Sequence, residues 1–230
     1  VYIIIRLLLE LPFPINIIAV GLILGGLAIG SIYTKRTVKQ KTIFNQLPTG
    51  DPVSSIRGYD RFIKSNPGFD EEGFKENVRS AFLDIQEAWQ NQDLSKVRKF
   101  LSDGVYQRFN TQFKMMKLLQ QTNIIENVDI KNIYIDKIEN DGLYDIIHTA
   151  IHASIDDRFV NRLDPSLNSG GKEEFVEYWS FIKKRGKERK DIYQTDDCPN
   201  CGSPLPAEMG EVSRCESCGT LTNSGDYDWV

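Results

Sequence analysis

Apolar and polar positions change their rhythm several times along this 230-residue chain, and each rhythm predicts a different element. From Leu11 to Tyr33 the run "LPFPINIIAVGLILGGLAIGSIY" carries no charge. About 20 helical residues cover the roughly 30 Å hydrocarbon core of a bilayer, so this stretch predicts a transmembrane helix. Residues 42–69 are broken by Pro48, Gly50, Pro52, Gly58, Pro67 and Gly68, the pattern of a linker with a short helical piece near Tyr59–Lys64. Apolar residues then recur at helical spacing as Phe74, Val78, Ala81/Phe82, Ile85 and Ala88/Trp89. Asp70 is placed to cap this helix, Glu71 and Glu72 favour the positive end of its dipole, and Phe69 can clasp Phe74. A second short helix is expected from Asp93, burying Leu94, Val97 and Leu101. A third follows Asp103, with Val105, Phe109, Phe113, Met116 and Leu119 on one face.

After Asn123 the period shortens to two. "VDIKNIYIDKI" is rich in β-branched residues, and Glu139–Gly142 reads as a hairpin turn. In the next strand Leu143, Asp145, Ile147, Thr149, Ile151 and Ala153 face one way. Tyr144, Ile146, His148, Ala150 and His152 face the other. A polar loop, "NRLDPSLNSGGK", precedes a third strand, "EEFVEYWSFIKKR". Three helices followed by a meander predict an α+β cone, with helices packed on one side of a curved antiparallel sheet.

Charge adds an orientation. Lys35, Arg36, Lys39 and Lys41 follow the apolar run, while only Arg6 and Glu10 precede it. Positive flanks stay on the cytoplasmic side, which would place the C-terminal body there. A cleaved signal peptide ending near Ala28-Ile29-Gly30 is the rival reading, opposed by the basic flank and the length of the run. The pairs Gly21/Gly25 and Gly26/Gly30 have the G-x-x-x-G spacing that can seat a homo-oligomeric helix contact, although glycine is common in membrane helices anyway. The expected organisation is an anchor with its basic flank over 1–41, a linker over 42–69, a cone over 70–194 and a small terminal module over 195–230.

That module holds all four cysteines, as Cys198/Cys201 and Cys215/Cys218. Each Cys-x-x-Cys pair offers two soft ligands from one tight turn, and Gly202 and Gly219 follow where a positive φ is needed. The alternatives are two disulfides or a redox pair. Two matched knuckles without a thioredoxin-like setting favour one structural zinc, held by four thiolates with no open position for substrate. Reduced thiols also suit a cytosol-like compartment.

The run "FDEEGFKENVRSAFLDIQEAWQNQDLSKVRKFLSDGVYQRF" and the later "EEFVEYWSFIKKRG" resemble the mitochondrial inner-membrane translocase subunit 44-like domain family. The resemblance covers about residues 69–193, and Gln86-x-x-Trp89 followed by Asp93 is its most specific part. It implies a nuclear transport factor 2-like cone and a membrane-tethered binding or scaffolding domain that is not an enzyme. The ending "CPNCGSPL…CESCG…YDW" is similar to that of bacterial, membrane-anchored members with a C-terminal zinc ribbon.

Catalytic chemistry finds little support: no nucleophile elbow, phosphate-cradling loop or Walker lysine is present. His148 and His152, with Asp145, Asp156 or Asp157, are the only acid–base candidates, and no completed constellation accompanies them, so no catalytic residue is assigned. Nucleic acid is disfavoured as a partner. Asp196, Asp197, Glu208, Glu211, Glu216, Asp226 and Asp228 face Arg214 alone in the terminal module, and net charge is −4. The basic stretch "KKRGKERK" reads in three ways: a solvated turn that protects a sheet edge, a clamp for the acidic module, or a contact for anionic headgroups. Tyr227 and Trp229 are packing or partner residues. The reading that joins these features is a single-span, membrane-anchored adaptor for cytoplasmic protein partners. The alternative is a small-molecule-binding or catalytic member of the same fold, acting through its concave pocket.

Overall fold

The computed structural model describes residues 52–230, so the anticipated membrane helix, its basic flank and its glycine pairs lie outside the described residues. No helix among the described residues is long and apolar enough to cross a membrane. A short 3₁₀ turn, Val53–Ser55, precedes helix α1, Tyr59–Ser65. Helix α2 spans Glu71–Asn91, and its start follows the expected chemistry. Asp70 accepts from the Gly73 amide at 3.0 Å, and the Phe69 and Phe74 rings lie 5.8 Å apart. Helix α3 spans Asp103–Leu118, capped by Ser102. It buries Phe113 and Met116, but Val105 and Leu119, expected inside, are exposed.

The anticipated second helix after Asp93 is instead a run of turns. Asp93 Oδ1 takes both the Ser95 amide and hydroxyl, and the following bonds span three residues, as in Val97 to Leu94 and Phe100 to Val97. A local side-chain acceptor here outcompetes the helical pattern. The inward apolar set survives the change, because Leu94, Val97 and Leu101 are all buried.

Three antiparallel strands follow in the order β1, Gln121–Asn140, β2, Tyr144–Asn161, and β3, Ser169–Lys184. Ile133 stands opposite Ile151, which stands opposite Glu177. Of the inward face expected for β2, Asp145, Ile147, Thr149, Ile151 and Ala153 are buried, while Leu143 is exposed just outside the strand; Ala150, expected on the other face, is buried as well. Strand β1 begins earlier than its apolar pattern suggested. Three register shifts interrupt it, at Glu126/Asp129, Ile130/Asn132 and Ile135/Lys137, and bulges of this kind bend a strand and increase its twist. Helix α2 packs on β1 and contributes to two hydrophobic clusters. Phe62, Phe74, Phe82, Ile147, Ile151 and Trp229 pack in one. Leu94, Val97, Phe100, Phe113, Ile192 and Val230 pack in the other.

Candidate metal centre and cavity

The two cysteine knuckles have the same backbone. The Gly202 amide donates to Cys198 O at 2.9 Å and the Gly219 amide to Cys215 O at 2.8 Å. The Cys198 and Cys215 amides close each loop on Ser203 O and Thr220 O, both at 2.8 Å. Gly202 and Gly219 take φ of +71° and +74°, which glycine adopts without strain. One short β-bridge flanks each knuckle, Asp197 to Pro204 and Arg214 to Leu221.

This repetition brings four sulfurs together, all within 4.8 Å of one another. Cys198 Sγ lies 3.7 Å from Cys218 Sγ, and Cys201 Sγ lies 3.8 Å from Cys215 Sγ. A disulfide would need about 2.05 Å, so none is formed. Four sulfurs each about 2.3 Å from a tetrahedral ion stand about 3.8 Å apart, so the donor set fits zinc in number, softness and spacing. Burial pushes the Cys198 thiol up to about 12. Hydrogen bonds from Thr220 and Asn200 draw Cys218 down to about 5.

The terminal cysteine module is seated on the cone by several polar contacts, those of Arg98 among them. The Arg98 side chain is wholly buried and fans out to Leu101 O at 3.0 Å, Gly210 O at 3.1 Å, Glu211 O at 2.6 Å and Asp103 Oδ1 at 2.6 Å. The guanidinium also stacks 4.3 Å from the Tyr106 ring centre. Next to it Lys99 Nζ donates to Thr195 O at 2.7 Å and pairs with Asp196 at 2.9 Å. Beyond the ribbon the chain returns to the sheet. Ile182 and Val230 exchange backbone bonds of 2.8 and 3.0 Å, and Lys184 N donates to Gly225 O at 2.8 Å. Trp229 enters the core within 5.5 Å of Phe74 and 6.0 Å of Phe62. Packing is therefore its role.

The basic stretch that ends β3 and follows it faces this return. Lys184 pairs with Asp226 at 3.1 Å, Arg189 with the buried Asp228 at 2.8 Å, and Lys190 donates to Pro199 O at 3.0 Å. Lys183 does not reach the ribbon; it is buried, donates to Lys187 O at 2.6 Å, and burial lowers its pKa.

A cavity of about 720 Å³ opens between α2, α3 and the sheet. Trp179 and Phe181 form part of its wall and leave the space open. Two acids enter it. Glu177 accepts from Trp179 Nε1 at 3.0 Å, and Asp157 accepts from Asn123 Nδ2 at 2.8 Å. Burial raises the pKa of both carboxyls, Glu177 further influenced by Glu173 and Asp157 by Asp156.

A family model, the Tim44-like domain, matches residues 55–194. The chain belongs to the Tim44-like domain family. The match runs from before α1 to just after β3 and takes in Phe62, Arg98 and the cavity-lining acids. Among solved structures, the intermembrane space region of the chloroplast protein ARC6 is similar at 8% identity, covering 50% of this chain and 86% of that one, with a TM-score of 0.36. None of the curated proteins matches in sequence.

Within this Tim44-like domain the histidines lie away from the cavity. His148 bonds Ser180 Oγ at 2.8 Å and Glu139 at 3.0 Å, and His152 bonds Glu174 at 2.7 Å, all on the outward face of the sheet. Asp145 is buried and held by Asn66 and Asn140, and Asp156 lies 3.6 Å from Arg158. Of the proposed acids, only Asp157 lines the cavity. Sequence reasoning missed Arg98 and Glu177. The signals were there: Glu177 shares a strand phase with Phe175, Trp179 and Phe181, and Arg98 sits beside Val97 in an otherwise inward run.

Proposed function

We propose that the chain is a membrane-anchored, non-enzymatic adaptor whose Tim44-like cone and zinc ribbon meet protein partners at the cytoplasmic face, in protein transport or assembly of membrane complexes. One zinc on Cys198, Cys201, Cys215 and Cys218 would be structural, supplying the stability that so short a ribbon lacks in core. A basic flank after the apolar run of residues 11–33 supports the single-span topology.

One observation carries the binding role. Asn161 Nδ2 donates to Leu119 O, and the Arg162 amide to Gln120 O, tying the end of α3 to the β2–β3 loop. The end of α3 exposes Met115, Leu118 and Leu119 and the loop tied to it exposes Leu163 and Leu167, with Leu118 83% and Leu163 73% exposed. Exposed apolar clusters of this kind mark interaction surfaces. Photo-cross-linking from Leu118 and Leu163 in native membranes tests the role. Discrete protein adducts that disappear in a Leu118→Glu/Leu163→Glu variant of unchanged stability are expected, and adducts indistinguishable between the two proteins would refute it. Native mass spectrometry of chain purified without chelator should find one zinc. A mass four hydrogens light would instead mean disulfides.

A further inference from the structure

We propose that the cavity between α2, α3 and the sheet binds a small organic cation with an apolar body, an alkyl- or arylammonium. The argument starts from what the cavity offers. Its walls are aromatic, with Trp89, Phe159 and Trp179 among them. Aromatic faces attract cations and also cover hydrocarbon. Its two inward acids, Asp157 and Glu177, have only neutral donors as partners, the Asn123 amide and the Trp179 indole. Among the described residues neither forms an ion pair with a lysine or arginine. The neighbouring pairs, Arg158 with Glu126 and with Asp156, leave Asp157 out.

A half-buried carboxylate without a counter-charge is costly, and structures normally pair it. Burial raises the pKa of both acids, and no nearby cation opposes this. A ligand that brings its own positive charge removes that penalty; an anionic one increases it. The single base on the lining, Arg108, is itself exposed. The interior therefore selects for positive charge, and the aromatic walls select for an apolar body. The volume of about 720 Å³ falls in the range of small-molecule sites.

This inference is independent of the adaptor role and of the metal. Three probes of one shape test it on the full chain: 4-phenylbutylammonium, 4-phenylbutanol and 4-phenylbutyrate. Binding is read from the fluorescence of Trp89 and Trp179 and by calorimetry. The ammonium should bind saturably, the alcohol about tenfold more weakly, and the carboxylate weakest. Glu177→Gln and Asp157→Asn, which keep size and hydrogen-bond reach, should each reduce the ammonium preference and leave the alcohol unaffected. Equal binding of the three probes, preference for the carboxylate, or no saturable binding of the ammonium would overturn the proposal.

Discussion

Arg98 shows how one side chain can hold two substructures. Its planar fork reaches backbone carbonyls on both sides of the seam, Leu101 on the cone and Gly210 and Glu211 on the ribbon. Arg98→Ala should cost about 3 kcal/mol, since it leaves several buried acceptors unpaired. In denaturant titration Arg98→Lys should recover only a fraction, because an ammonium cannot fork across the seam. The Arg214 and Thr222 amides, which donate to Val212 O and Ser213 O, should lose exchange protection before those of the sheet. Glu177 gives a prediction in pH. Burial raises its native pKa, so the folded chain holds this proton more tightly than the unfolded one. The stability it contributes is complete below the unfolded value, about 4.3, and is lost as pH rises through the native value. Glu177→Gln should therefore raise the melting temperature at pH 7 and make no difference at about pH 4. Neither residue declares itself by type, since a lone Arg or Glu in sequence is ordinarily a solvated one. Only the phase of its neighbours betrays its inward direction.

Among elements, those with strong local chemistry were legible. Asp70 and Phe69 announce α2, and the turn residues Asn140–Gly142 announce the first hairpin, where Asp141 accepts from the Leu143 and Tyr144 amides. The cysteine spacing announced the four-sulfur cluster, because two identical turns leave little freedom in where their sulfurs point. What the pattern did not reveal depended on competition or distance. The turns at Leu94–Leu101 bury the residues a helix would bury, so periodicity cannot separate the two. The polar start of β1 is held by pairing with β2, which no local pattern records. The knuckles also make a testable unit. In the zinc-stapled form, chelation should release protection and protease resistance over residues 198–219. It should leave the sheet and the Ile182–Val230 pairing protected, because those bonds do not pass through the sulfurs.

At the scale of the molecule, the return of the chain to the sheet matters most. Trp229→Ala should destabilise the cone itself by about 3–5 kcal/mol, although the residue follows the ribbon in sequence. Reversing Lys184 and Arg189 to Glu should loosen the return, with the larger effect from Arg189 because Asp228 would be left buried without its partner. Thermal melts with exchange mapping would separate the two. A ribbon spliced into the cone in this way also has a bearing on assembly kinetics. The indole that completes the core must come home across a long excursion of chain, and closing Cys198 onto Cys218 removes 20 residues from it. That roughly halves the contour, a saving of about 0.6 kcal/mol in closure entropy, or about threefold in rate. Refolding with metal should thus be only slightly faster than without it, while unfolding should be slowed much more.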